Sequence, residues 1–256
     1  MNMELIIKKP NKSIYKNGDY LTKVYDHKMI RKATVFKEAL YHVVAESTGL
    51  NIPHIHRVYS LGEDWALDAD FIGGQTLEDI MKKDEKNYQK YIDQLISLQI
   101  EVLNKPVDGL PDMKEKFNSR ISKLGKREDI YIDATIRYEL HIAMNRLTAE
   151  KKLCHGDFVP DNLMVTPSGK VFILDWAHAT IGNACPDVAR TYLKMLLDGH
   201  KDWAEYYLKT YTKKTDTAIQ QIEAWYPEVA ATMLFQFDGE AERKFLLSVI
   251  NSIEFA

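Results

Sequence analysis

The residues most able to do chemistry fall in one run, His155-Gly156-Asp157-Phe158-Val159-Pro160-Asp161-Asn162, followed further on by Asp175-Trp176. A carboxylate, a carboxamide and a second carboxylate are hard oxygen donors of the kind that divalent cations take. Phosphoryl transfer from a nucleoside triphosphate needs such a set. Cations must offset the clustered negative charge, and a carboxylate must orient an acceptor hydroxyl and take its proton. Between Asn162 and Asp175, the apolar runs Leu163-Met164-Val165 and Val171-Phe172-Ile173-Leu174 flank Pro167-Ser168-Gly169, which predicts a hairpin. A hairpin there returns Asp175 toward the loop, so that sequence-distant oxygens can converge.

The spacing Asp157-x-x-x-x-Asn162 equals that of the protein-kinase catalytic loop, and Asp175 stands where that fold carries a metal-binding Asp. The run HGDFVPDNLMV, with ILDW at the end of the hairpin, resembles the aminoglycoside phosphotransferase and choline kinase family of protein-kinase-like enzymes. The resemblance implies that Asp157 is the catalytic base, that Asn162 and Asp175 hold Mg²⁺, and that His155 braces the loop. It also implies ATP or GTP as phosphoryl donor and a small-molecule hydroxyl as acceptor. Asp187, in Cys185-Pro186-Asp187, reads as a helix N-cap. The family's Asp at this place implies structural support for the catalytic segment.

Upstream, Lys23 sits mid-strand between Thr22 and Val24. It is either an edge lysine facing water or the lysine that meets the triphosphate, held by an acid on the next helix. Glu38, in the first half of that helix, is the expected partner; Glu46 lies too near the Gly49 stop. The segment from Leu67 to Gly74 resembles the family's inter-lobe hinge, which implies purine contacts from the backbone near Ala69 and Phe71. Lys16-Asn17-Gly18-Asp19 is a tight turn but no G-x-G-x-x-G loop, so phosphate cradling by glycine amides is not expected there.

These residues need elements to hold them. Strand patterns occur at Lys12 to Asp26, Pro53 to Tyr59 and Trp65 to Ile72. Between them, Val35, Phe36, Ala39, Leu40, Val43 and Val44 predict an amphipathic helix over Thr34 to Thr48. After Gly73-Gly74, a helix capped by Thr76 is expected, then helices over Tyr88 to Leu103, around Met113 to Leu124, and from Asp133 through Leu147. Helical patterning resumes after Pro186. The expected class is α+β, a bilobal protein-kinase-like fold. Residues 1–72 form a small antiparallel-sheet lobe that binds nucleotide, with a hinge near 68–74. Residues 75–256 form a large, mainly helical lobe with the catalytic loop and acceptor site.

A net charge of −3 and pI near 6.3 give no global field for nucleic acid or anionic lipid, and no apolar run approaches the roughly 18 residues of a membrane helix. The short, charged start of the chain does not read as a signal peptide, and Cys154 and Cys185 match no metal spacing. A cytoplasmic protein with reduced cysteines is expected, with neither nucleic-acid nor membrane partners. A protein kinase is disfavoured by the missing Ala-Pro-Glu and the short stretch after Asp175-Trp176. A nucleotide-binding pseudokinase or scaffold is the alternative from another class, although Lys23, Asp157, Asn162 and Asp175 are all present. For the acceptor, Trp203, Tyr206, Tyr207, Trp225 and Tyr226 could build a cage or simply the core. Asp198, Asp202, Glu205, Glu254 and the Ala256 carboxylate are further candidates.

Overall fold

The computed structural model describes residues 3–146 and 148–253, so Leu147, Glu254 and Ala256 lie outside the described residues. In chain order the first elements are β1 (Glu4–Lys8), β2 (Lys12–Asn17), β3 (Tyr20–Tyr25), α1 (Lys32–Glu46), β4 (Ile55–Leu61), β5 (Asp64–Asp70), β6 (Gln75–Thr76) and α2 (Leu77–Lys83). Then come α3 (Tyr88–Leu103), α4 (Met113–Leu124), α5 (Ala134–Arg146), β7 (Lys152–Cys154), β8 (Leu163–Val165), β9 (Val171–Ile173) and β10 (Thr180–Gly182). The remainder is helical: α6 (Ala184–Leu197), α7 (Lys201–Thr215), α8 (Ile219–Glu223), α9 (Tyr226–Met233) and α10 (Glu240–Ile250). This is the α+β, kinase-like class that the sequence predicts. The chain packs as two compact units. One comprises Met1–Glu85, Val107–Leu110 and Pro160–Ala179; the other comprises Lys86–Pro106, Pro111–Val159 and Thr180–Ala256.

The first unit is built on an antiparallel sheet of order β1-β2-β3-β5-β4. Its register sets Lys23 opposite Ile14 on one side and Leu67 on the other. Gly18, at φ +63°, makes the β2–β3 turn that the Asn17-Gly18 pair predicts. Tyr25, Leu67 and Ala69 of the sheet pack with Val35 and Ala39 of α1 as its core. The helix buries Val35, Ala39, His42 and Ala45, whereas Phe36, Leu40 and Val43 are exposed, which corrects the stripe expected from apolar periodicity. Two alanines allow close approach of helix to sheet. His42 donates its Nε2–H to the Pro53 carbonyl at 2.6 Å, with burial lowering its pKa and favouring the neutral ring. The strand β1 went unread in the sequence, because Leu5, Ile6 and Ile7 form an exposed edge with no alternation to mark it.

The expected hairpin forms, with Leu163 opposite Ile173, and β6 extends it to a three-stranded sheet. At Gly74 an added Cβ would lie 2.2 Å from the Val165 carbonyl oxygen, so this close pairing requires glycine. Thr76 caps α2 by accepting from the Asp79 N–H at 3.1 Å, as its position predicts.

In the second unit, β7 and β10 pair antiparallel, and α6 lies at the centre with nine buried residues. Trp203, Tyr207 and Trp225 are buried and serve as core. The N-cap of α6 is Asn183, whose Oδ1 accepts from the Cys185 N–H at 2.7 Å; Asp187 is inside the first turn, which corrects its reading as a cap. Cys154 and Cys185 are free and buried, and burial raises both thiols, keeping them protonated. No helix among the described residues is long and apolar enough to cross a membrane.

Glu228 on α9 is fully buried, and neither carboxylate oxygen has a hydrogen-bond partner among the described residues. Burial raises its pKa from 4.5 to about 7. The folded state therefore takes up a proton that the unfolded state releases. Stability is full below pH 4.5 and is lost as pH rises toward 7. Glu228→Gln is expected to stabilise the chain by up to about 3 kcal/mol at pH 8 and by little at pH 4.5. Melting temperatures at the two pH values check this, and equal shifts would contradict it.

Candidate active site

Lys23, Glu38, Ala69, Phe71, Asn162 and Asp175, all in the first unit, line one cavity of about 520 Å³. The strand β3 projects Lys23 so that Nζ reaches Glu38 Oε1 on α1 at 2.8 Å and Asp175 Oδ1 at 3.4 Å. Lys12 approaches the other oxygen of Asp175 at 3.9 Å. Burial works to lower the Lys23 pKa, but Asp175 and Glu38 outweigh it and hold the ammonium well above its ordinary range. Lys23 is thus a fixed cation at the cavity wall, not an edge lysine in water.

Asp175 follows β9 with φ +55°, ψ +69°, a left-handed conformation that non-glycine residues adopt at a cost of order 1 kcal/mol. The turn Trp176–His178 packs on α1, the helix that carries Glu38. Asn162 ends a short turn seated on α2, and its carbonyl accepts from the Leu174 N–H at 2.8 Å, beside Asp175. A carboxylate and a carboxamide presented by adjacent, pinned backbone suit a hard divalent cation that keeps its other positions for water and phosphate. At the other wall, Ala69 is buried opposite Leu21, while the Phe71 N–H donates to the Asp19 carbonyl at 2.9 Å. That hydrogen bond engages the Phe71 amide. The Lys16 ammonium lies 4.7 Å from the Phe71 ring centroid.

His155, Asp157 and Asp187 belong to the second unit. The strand β7 delivers the chain to His155, which is fully buried, edge-on to Phe158, and accepts at Nδ1 from the Asp157 N–H at 3.2 Å. Asp187 accepts from the Gly156 N–H at 2.6 Å and from the Gln99 amide at 3.2 Å. Burial raises the Asp187 pKa, opposed by His155 and these donors. Gln99 also accepts from the Tyr207 hydroxyl, and Thr191 donates to the Phe158 carbonyl at 2.7 Å. The loop is therefore hydrogen-bonded to α6 on both sides of Asp157.

Asp157 itself accepts at Oδ1 from Arg190 Nε at 3.1 Å and Nη2 at 3.0 Å, and Arg190 also donates to Gln236. Sequence reading passed over Arg190. Its signal was the Asp187-x-x-Arg190 spacing, which sets both residues on one face of a helix. Nor did it single out Gln99, Lys116 or Arg120. Burial, then the Arg120 and Arg190 charges, lower Lys116 to about 7; burial, then Arg190, lower Arg120 to about 10, opposed by Asp157.

The sequence profile of the phosphotransferase enzyme family matches residues 14–225. No curated protein matches at a significant level. Among solved structures, a thermostable mutant of aminoglycoside phosphotransferase APH(4)-Ia in its apo form superposes with a TM-score of 0.74 at 15% identity, covering 98% of this chain and 94% of that one. The choline kinase LicA from Streptococcus pneumoniae gives 0.65 at 15% identity over 99% and 94%. ADP-bound aminoglycoside phosphotransferase APH(2'')-Ib gives 0.61 at 17% identity over 98% and 92%. At such identities the structural likeness speaks for the fold alone. Because the sequence match itself runs from β2 through the catalytic-loop motif and on past α8, the chain belongs to the phosphotransferase enzyme family.

Proposed function

We propose that this protein transfers the γ-phosphoryl group of ATP or GTP to a hydroxyl of a small molecule in a Mg²⁺-dependent reaction. The observation that carries the proposal is Lys23, bound to both Glu38 and Asp175 on a cavity wall shared with Asn162. The backbone near Ala69 and Phe71 receives the base, and Lys23 pairs with the α- and β-phosphates. Asn162 and Asp175 would hold the metal. When bound, it supplies neutralisation of the charge on the phosphate oxygens. Asp157 orients the acceptor hydroxyl. The hydroxyl oxygen forms the new bond to phosphorus, the bond to the β-phosphate oxygen breaks with its electron pair leaving on the nucleoside diphosphate, and Asp157 takes the proton.

Arg190 has a defined part in this scheme. The Arg190 guanidinium, 3.0 Å from Oδ1, fixes the direction in which the Asp157 carboxylate points. Asp157 then acts mainly by alignment, and alignment is what the bracing by His155, Asp187 and Arg190 secures.

Structures of the related APH(4)-Ia hold AMP-PNP with hygromycin B, so a nucleotide with a small hydroxylated acceptor has precedent in the fold. The test is a coupled nucleotide-turnover screen, run with ATP and with GTP, over aminoglycosides, amino alcohols, sugars and hydroxy acids. Acceptor-dependent release of nucleoside diphosphate is expected. Thermal stabilisation by Mg-nucleotide without turnover on any acceptor would favour a scaffold instead.

A further inference from the structure

The cavity face of the five-stranded sheet is ordered in rows, because directly paired residues share a face and alternate residues along a strand return to it. The first row, Lys16–Leu21–Ala69, lies at the end where the Phe71 N–H donates to Asp19. The second is Ile14–Lys23–Leu67. The third, Lys12–Tyr25–Trp65, stands at the opposite end, beside the β1–β2 turn. Lys12 therefore starts two residues, about 7 Å, farther along the sheet than Lys23.

The two lysines of the second and third rows converge. Lys23 Nζ lies 3.4 Å from Asp175 Oδ1, and Lys12 Nζ lies 3.9 Å from Asp175 Oδ2. The Lys12 side chain is only 15% exposed, and its ammonium is 5.9 Å from the Tyr25 ring centroid. Its head group is thus confined to the edge of the cavity that Asp175 lines. The adjoining turn lacks what a backbone phosphate cradle needs. Residues 4–17 contain no glycine, and Pro10 has no N–H. The Lys9 N–H donates to the Lys12 carbonyl at 2.8 Å and the Asp26 N–H to the Asn11 carbonyl at 3.2 Å, which pins the turn.

We propose that Lys12 binds the terminal phosphoryl group of the nucleotide, one side chain doing the work of a loop of amides, so that the site distinguishes a triphosphate from a diphosphate. This rests on the phosphotransferase reading above and adds a donor-side residue to it. With the base at the first row and the α- and β-phosphates at Lys23, the next cation outward meets the γ-phosphoryl. A phosphate oxygen is an acceptor of the same class as the Asp175 oxygen that Lys12 already approaches, and it takes a charge-assisted hydrogen bond. The ammonium there offsets charge on the group being transferred.

The experiment measures binding by calorimetry, with Mg²⁺, of AMP-PNP and ADP and of GMP-PNP and GDP to the parent chain, Lys12→Met and Lys12→Arg. Lys12→Met is expected to weaken the triphosphate analogue by about tenfold or more and to leave the diphosphate within about twofold. Lys12→Arg is expected to keep the parent's preference. Acetylation of the Lys12 amine in the parent chain, followed by peptide mass spectrometry, is expected to slow with the triphosphate analogue and far less with the diphosphate. Labelling needs no variant, so a misfolded mutant does not spoil the test. Equal weakening of both ligands, which a mere counter-ion to Asp175 would give, overturns the proposal. So does binding unchanged in Lys12→Met, or labelling slowed alike by both ligands. A parent chain that binds none of these nucleotides overturns the phosphotransferase reading itself, whereas one that binds them without regard to Lys12 overturns this proposal alone.

Discussion

Asp157→Asn should lower kcat by about a thousandfold, within the 10²–10⁴ range typical of a positioned general base, while leaving Mg-nucleotide affinity nearly unchanged. The exchange is close to isosteric. Its amide oxygen can still accept from Arg190, and the Asp157 N–H still meets His155, so the loop keeps its course. What disappears is the negative charge that the proposed reaction uses to orient the hydroxyl and take its proton. The substitution also removes the countercharge of a buried guanidinium, so some loss of stability accompanies it and melting should be recorded alongside turnover. Because Asp157 belongs to the second unit and the cavity proposed for the nucleotide to the first, affinity and turnover are expected to separate. Unchanged kcat would remove Asp157 from the mechanism.

The second large effect is expected at Asp175. Asp175→Asn should abolish measurable turnover, a loss of at least about a thousandfold, and also the Mg²⁺-dependent part of nucleotide stabilisation. Asparagine is among the few side chains that tolerate φ near +55°, so the turn after β9 is retained and the effect reports on charge. The variant also deprives Lys23 of one of the two carboxylates that hold it protonated, leaving Glu38. Thermal shift with nucleotide, with and without Mg²⁺, separates the outcomes. A variant still stabilised by Mg-nucleotide as the parent is would take Asp175 out of the metal site.

Several of the local arrangements were legible before any coordinates. The loop motif and the hairpin are local in sequence, so Asp157, Asn162 and Asp175 could be named from spacing. Lys23 was left between an edge lysine and a partner for an acid on the next helix, Glu38 was preferred to Glu46 for its place in the first half of that helix, and the two do meet at 2.8 Å. Legibility failed where tertiary packing chose among equal local options. The helix α1 carries enough apolar residues for two stripes, and packing buried the one with alanines, leaving Phe36, Leu40 and Val43 outside. The strands β6, β7 and β10 are two or three residues long and exist only through their partners. The Asp187 cap failed for another reason: Asn183, four residues earlier, offered a side chain that reached the amide first.

The first unit is sewn from three stretches of chain, and this bears on the order of events at the ribosome. Its five-stranded sheet and α1 are complete once the first 85 residues have emerged. Its cavity is not, because Asn162 and Asp175 arrive only after residues 86–159, most of them destined for the other unit, have been synthesised. At 5–20 residues per second that interval lasts several seconds. During it Lys23 and Glu38 already face each other, without the carboxylate that completes the set. A nascent chain therefore carries the sheet side of this cavity before the hairpin side, and the cavity is completed late in translation, as the hairpin closes onto β6.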